Sequence, residues 1–312
     1  MILNILLLAV ALVLGVGLYL SRQAMYPKTR SDDSVWQAEL KRMPILETFY
    51  NNAAIESVLI QSHDTYMLSG WWLKSPAAKG VVIVVHGIRL NKFASVKYMR
   101  MFHDLGYHVL AYDQRNHGGS GGDFTSYGVL ESEDLKCVVD WVQARTSNLL
   151  DIYTHGESMG AATVLMHAAK DSRIQGTIAD CSFSEAERTF KERLMIDYHL
   201  PKWPLMFFAD GFNRLKTGIG FQDMSPLKTL SDISAPVMII HGTTDRYVPI
   251  AHAEQLYQTL ESFGKVPVTF FPVEGAGHAK SISTNYEAYL VGCESFLTDC
   301  ARIQATDAAV TA

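Results

Sequence analysis

Residues 150–162 read Leu150-Asp151-Ile152-Tyr153-Thr154-His155-Gly156-Glu157-Ser158-Met159-Gly160-Ala161-Ala162. An apolar, strand-forming start runs into a turn of small residues and then into a helix-forming stretch. A serine flanked by glycines two positions away on each side marks a very sharp strand-to-helix turn, which strains the serine and lifts its Oγ above the sheet. Gly156 and Gly160 fall where side chains would collide as strand and helix close on each other, and Ala161 and Ala162 keep that approach tight. The helix beginning here turns its positive dipole end toward the hydroxyl. Ser158 is therefore the candidate nucleophile.

Outward from this turn, strand and helix patterns alternate. Val81-Val82-Ile83-Val84-Val85 is a continuous β-branched run suited to a strand buried on both faces. Further strand-like runs occupy 107–112, 150–154, 174–179, 236–241 and 267–273, and residues 55–61 and 66–74 read as a short antiparallel start. Leu135, Val138, Val139 and Val142, and later Ala253, Leu256, Tyr257 and Leu260, follow helical spacing. The alternation predicts an α/β fold with a mostly parallel sheet, right-handed crossovers and helices on both faces. Residues 183–232 interrupt it with a stretch containing Trp203, Phe207, Phe208, Phe212 and Phe221, expected to be an inserted helical cap over the strand ends where ligands bind. The hydrolase body is expected at 55–300, preceded by a connecting segment at 23–54 and followed by a frayed tail at 301–312.

A serine nucleophile needs a base, and the base an orienting carboxylate. On this kind of turn the chain order is serine, acid, histidine. The run 236–241 ends in His241-Gly242-Thr243-Thr244-Asp245, which puts Asp245 just beyond a strand. Only His252 and His278 follow it. His252 starts a helix after Pro249 and reads as a surface or capping residue. His278, within Glu274-Gly275-Ala276-Gly277-His278, sits in a loop able to reach back over the sheet. Asp245 and His278 are the expected acid and base; Asp180, the reserve acid, reads more readily as a structural hydrogen-bonder. The oxyanion needs two fixed backbone donors. Met159 N–H, beside the nucleophile, is one; Ile88 N–H, in the loop after 81–85, is the other. Arg89, Asn91 and Lys92 read as an exposed loop face.

The first residues stand apart. Ile2 to Leu20 are apolar except for Asn4. Nineteen helical residues span about 28 Å, close to a bilayer core of about 30 Å, and residues 1–22 are expected to form an uncleaved single-pass membrane anchor. No Lys or Arg precedes the run, while Arg22, Lys28 and Arg30 follow it, which favours a cytoplasmic body. The four cysteines form no CxxC pair and read as core residues, with Cys293 and Cys300 two turns apart on one helix face. The 312 residues are 48% hydrophobic and 19% charged, too apolar for disorder. Overall mean hydropathy is +0.05, too low for a multi-span membrane protein. A net charge of −5 without basic runs argues against nucleic acid as a partner.

Taken in order, VVHGI, YDQRNHGGSGG, GESMGAA, HGTTDRYVP and GAGHAKS resemble the α/β-hydrolase superfamily over residues 50–300, in particular bacterial hydrolases with an N-terminal anchor and a short helical cap, near the esterase and serine-aminopeptidase-like branches. The resemblance implies the catalytic roles for Ser158, Asp245 and His278 and the oxyanion donors Ile88 and Met159, with His117 bracing a loop. It implies a serine hydrolase cleaving carboxylic esters through an acyl-enzyme, acting on a small-molecule or acylated substrate. A peptidase or thioesterase of the same fold is the alternative, and a non-catalytic membrane-anchored binding protein a more distant one. HExxH, GxxxxGK and a helix-opening GxGxxG are missing from the sequence, so no metal or nucleotide cofactor is implied.

Overall fold

Val82 and Val84 enter one hydrophobic layer and Val81, Ile83 and Val85 the other, as the two-residue side-chain period of a strand requires. This strand, β3 (Val81–Val85), lies mid-sheet in a computed structural model that describes residues 1–311, with side-chain surroundings to Thr306. Its companions are β1 (Ile55–Gln61), β2 (Met67–Leu73), β4 (His108–Tyr112), β5 (Ile152–Glu157), β6 (Ile174–Asp180), β7 (Val237–Gly242) and β8 (Val268–Val273), in the spatial order β1-β2-β4-β3-β5-β6-β7-β8. The β1/β2 and β2/β4 pairs are antiparallel and the others parallel. The chain has the α/β-hydrolase fold.

The helices are α1 (Ile2–Met25), α2 (Asp32–Arg42), α3 (Ile45–Asn52), α4 (Val96–Asp104), α5 (Val129–Arg145), α6 (Met159–Ala168), α7 (Ala186–Tyr198), α8 (Leu205–Thr217), α9 (Ala251–Phe263), α10 (Ser281–Thr284) and α11 (Tyr286–Thr311). Tyr98, Met101 and Phe102 of α4 share one layer with Tyr289, Cys293 and Leu297 of α11. On the opposite face α5 contributes Leu135, Val138, Val139 and Val142, and α6 contributes Val164. Between β6 and β7, α7 and α8 with three short 3-10 turns occupy 186–232.

Two stretches are more structured than their composition suggested. In the segment expected to be a plain connection, Ser31 caps α2 by accepting the Ser34 N–H at 3.3 Å. Asp32 and Asp33 sit in the first turn of that helix and Lys41 and Arg42 in its last, matching its dipole. At the other end, the expected tail continues α11 to Thr311, its Ala-rich composition favouring helix, and Gln304 hydrogen-bonds to Gln175 on β6. Ala312 lies outside the described residues.

The connecting helices are tied to the core by buried charge. Glu39 on α2 lies 3.3 Å from Lys97 Nζ on α4, and Lys97 Nζ lies 2.8 Å from Glu157 Oε2 at the end of β5. Tyr98 OH donates to the same Glu157 oxygen at 2.7 Å. Burial pulls the Lys97 ammonium down, but Glu157 and Glu39 outweigh it and hold it above its ordinary value; burial likewise raises Glu157, and Lys97 brings it below the usual carboxylate range. Lys97→Met strands two carboxylates in the core and is expected to lower the unfolding free energy by about 3–5 kcal/mol in denaturant titration. A loss under about 1 kcal/mol would mean the network contributes little.

Candidate active site

Four parallel strands deliver the predicted residues to one end of the sheet. Ile88 follows β3, Ser158 follows β5, Asp245 follows β7 and His278 follows β8. At the elbow Ser158 has φ 57° and ψ −114°, a conformation that costs a non-glycine residue about 1–3 kcal/mol. The crossing of β5 and α6 imposes it. A Cβ at Gly156 would stand 2.2 Å from Gly160 O, and one at Gly160 would stand 2.1 Å from Val85 O. The neighbouring strand holds the turn as well, since Ser158 N–H donates to Asp180 O at 2.8 Å.

Asp245 and His278 come from loops that are stitched together. Thr244 N–H donates to Ala276 O at 3.0 Å and Gly275 N–H to Thr243 Oγ1 at 2.9 Å. His278 Nδ1 then lies 2.7 Å from Asp245 Oδ2, and His278 Nε2 lies 2.9 Å from Ser158 Oγ. The other Asp245 oxygen accepts the Tyr247 and Val248 N–H groups at 2.8 and 2.9 Å. Burial pushes the Asp245 carboxyl up, but the hydrogen bonds from His241, His278 and Val248 hold it well below the usual range. A carboxylate that stays ionised and takes Nδ1–H leaves Nε2 as the imidazole's acceptor, the arrangement able to withdraw a proton from a serine hydroxyl.

Met159, the first residue of α6, carries an N–H that the helix itself leaves without a partner. The loop bearing Ile88 passes against the elbow, so that a Cβ at Gly87 would stand 3.4 Å from that of Ser158. Two histidines brace this loop. His117 accepts the Arg89 N–H at 2.9 Å on Nε2, with Nδ1 2.8 Å from Arg115 O. His86 accepts the Gln114 N–H at 3.0 Å on Nε2, with Nδ1 2.7 Å from Gly87 O. Both bonding patterns require neutral imidazoles.

Other expectations are corrected. Asn91 and Lys92 are buried rather than exposed: Asn91 donates to Asp32 at 2.8 Å and Lys92 Nζ lies 2.6 Å from Asp113 Oδ2. Arg89 alone of the three is exposed. His252 is fully buried, because the first turn of α9 tucks under the cap, and it takes the Ser184 N–H at 3.1 Å. Asp180 receives Ser281 Oγ–H at 2.9 Å and Tyr289 OH at 3.1 Å, and burial, then Glu157, push it up to about 6. It serves as the structural hydrogen-bonder the sequence favours, not as a partner of His278. Among the described residues, no group of three or more His, Cys, Asp or Glu is placed to hold a metal ion.

Ser158 opens onto a cavity of about 270 Å³. The cap supplies Phe183, Phe190, Leu194, Met206 and Phe221, the sheet side Ile88, Met159, Tyr127 and Tyr247, and Arg89 and Arg193 stand at its wall. The remaining wall was not foreseen. Leu20, Gln23 and Ala24 of α1 line the same cavity, and α1 packs on the cap so closely that a Cβ at Gly17 would stand 2.7 Å from that of Phe208.

This sheet, with a serine elbow at its carboxyl edge, defines a serine hydrolase of the α/β-hydrolase superfamily. More closely, the family model described as the prolyl oligopeptidase family matches residues 93–302, and the chain belongs to that family. It is 33% identical over 290 residues to the uncharacterized protein YqkD of Bacillus subtilis, covering 92% of this chain and 94% of that one. Against lysophosphatidylserine lipase ABHD12 of Rattus norvegicus it is 28% identical over 202 residues, 62% of this chain and 49% of the relative, so it spans about half that relative's length. The solved esterase Pf2001 of Pyrococcus furiosus superposes with a TM-score of 0.65 at 26% identity, covering 82% of this chain and 94% of the esterase.

The histidine brace gives a pH prediction. Burial, then His117, push His86 down from 6.5 to about 4. Between these values the unfolded chain binds the extra proton, so stability present above pH 6.5 is lost as the pH falls toward 4. From pH 6.5 to 5 the loss is about 1.6 kcal/mol. In His86→Gln the fall across that window is expected to be smaller by this amount in denaturant titrations at the two pH values; equal falls would rule the brace out as its source.

Proposed function

We propose that the chain hydrolyses carboxylic esters of apolar acyl groups, with Ser158 as nucleophile, His278 as general base and acid, and Asp245 orienting the imidazole. The observation that carries this reading is the unbroken hydrogen-bonded line from Ser158 Oγ through His278 to Asp245, opening onto a largely apolar cavity. Ser158 Oγ attacks the ester carbonyl while His278 Nε2 takes its proton. The tetrahedral oxyanion is held by the Ile88 and Met159 N–H groups. Collapse expels the alcohol, which receives the proton from His278, and leaves an acyl-Ser158 ester. A water molecule, deprotonated by His278, then releases the carboxylic acid and restores the serine. Esterase chemistry over peptide hydrolysis is supported by the apolar wall and by the likeness to the Pyrococcus furiosus esterase.

We also infer that α1 is a single-pass membrane anchor at residues 1–22. Its support is a 24-residue helix apolar enough to cross a bilayer, with only 6% of its most apolar window buried. The division into anchor, body and cap at 183–232 belongs to the same reading.

Ser158→Ala is expected to lose turnover of an aryl ester by about 10⁶-fold with an unchanged circular dichroism spectrum. Retention of more than about a hundredth of the rate in that folded variant would overturn the assignment.

A further inference from the structure

The anchor is too short to cross a bilayer while it stays docked on the cap. Only Ile2–Leu12 of α1 project freely, all of them exposed. Eleven helical residues reach about 16 Å, roughly half of a hydrocarbon core of about 30 Å. From Val13 onward the helix lies against the cap: Val13, Val16 and Leu20 share an apolar cluster with Leu205, Met206 and Ala209, and Gly17 meets Phe208. The apolar run nevertheless continues to Leu20, and the first charge is Arg22. If the whole run occupies hydrocarbon, the part of α8 alongside residues 13–20 shares its depth.

The outer face of the cap suits that depth. Phe207 and Leu215, two turns apart on α8, are 68% and 85% exposed, and Trp203, just before the helix, is 78% exposed. Met195, Ile196 and Tyr198 at the end of α7 are exposed as well. Two of the charges of α8, Asp210 and Arg214, are engaged within the cap, Arg214 Nε lying 3.1 Å from Asp210, whose other oxygen accepts the Phe221 N–H at 2.6 Å. Lys202 and Lys216 mark the two ends of the helix, where long cationic side chains reach toward headgroups.

We propose that the Trp203, Phe207 and Leu215 face of the cap is immersed in one leaflet beside α1, so that the active-site cavity is filled from the bilayer. Leu20, the last residue of the apolar run, and Ala24, just beyond Arg22, both wall that cavity, which sets its rim at the membrane interface. The substrate class is then a membrane-resident ester with a long acyl chain. The proposal rests on the reading of α1 as a membrane helix and refines the ester reading of the site.

The test uses the full-length protein in phosphatidylcholine vesicles, with and without bromine on the acyl chains. Three outcomes separate the readings. If the protein fails to float with vesicles, the anchor reading fails and takes the proposal with it. If it floats and brominated lipid quenches its tryptophan fluorescence, with the quenching lost in Trp203→Phe, the cap is immersed. If it floats and Trp203 is not quenched, the proposal is overturned, and a second copy covering that face would give this same result. A kinetic arm tests the route to the site. Trp203→Glu combined with Phe207→Glu is expected to slow hydrolysis of a long-chain ester held in vesicles at least about tenfold, leaving a water-soluble short-chain ester unaffected. Equal slowing of both substrates, or of neither, counts against delivery from the bilayer. Absence of ester hydrolysis in the unaltered protein would sink the ester reading while the quenching result still decides the position of the cap.

Discussion

The arrangement hangs on a collision that two glycines avoid. Where β5 turns into α6, backbone atoms approach so closely that a methyl group at Gly156 or Gly160 would overlap a carbonyl oxygen. That closeness forces Ser158 into its positive-φ conformation, directs Oγ away from the sheet and brings the first turn of α6 beneath it. The strain is local, and the elements around it over-determine the turn. Val85 meets it from one side, the Asp180 carbonyl from the other, and the Lys97–Glu157 pair braces the residue just before the serine. A more relaxed turn would not carry Ser158 to His278, because the loops of β7 and β8 are already tied to each other and have little freedom to follow.

The features readable from sequence share a property: each is recorded in residues close together along the chain. The glycines around Ser158, the β-branched run of β3 and the glycine-rich loop before His278 report their own backbone. The cap could be placed because it interrupts a regular alternation. The misjudged residues are polar side chains buried by distant partners. Asn91 meets Asp32 across 59 positions and Lys92 meets Asp113 across 21. A lysine looks the same in sequence whether it is solvated or neutralised in a core, since burial is tolerated only where tertiary structure supplies the counter-charge. His252 follows the same logic, its partner Ser184 arriving from before the cap. The helix at 32–42 differs, because its Ser-Asp-Asp start and Lys-Arg end are local helix-cap signals lying within a stretch read only as a connection.

The cavity divides its labour between the two sides. The sheet side is polar where bonds are to be made: two braced backbone loops, an imidazole and a buried carboxylate. The cap side is apolar and aromatic, with Phe190 packed edge-on against both Tyr127 and Phe221 at 4.9 Å between centroids. An oxyanion gains most from fixed donors where competing water is excluded, so an apolar cap strengthens the electrostatics of the polar half. Arg89 stands at the boundary, its backbone held by His117 and its Nε on Lys28 O at 3.0 Å. The segment leaving α1 is thereby fastened to the same loop that carries Ile88.

That fastening changes what the N-terminal helix is. A tether joined by a slack linker leaves the body free of the membrane, and its removal leaves the site intact. Here α1 continues without a break into residues that wall the cavity, Asn116 and Thr125 close on Met25, and Lys28 is held by Arg89. On the proposed reading of α1 as a membrane helix, its position in a bilayer would set the position of the cap, which walls the cavity. A helix of this kind cannot shift by a turn without displacing Leu20 and Ala24 from the wall facing Ser158, about 5.4 Å along its axis. Were that reading to hold, bilayer thickness and the accessible volume of the site would be linked through this one element, whose last turns wall the cavity.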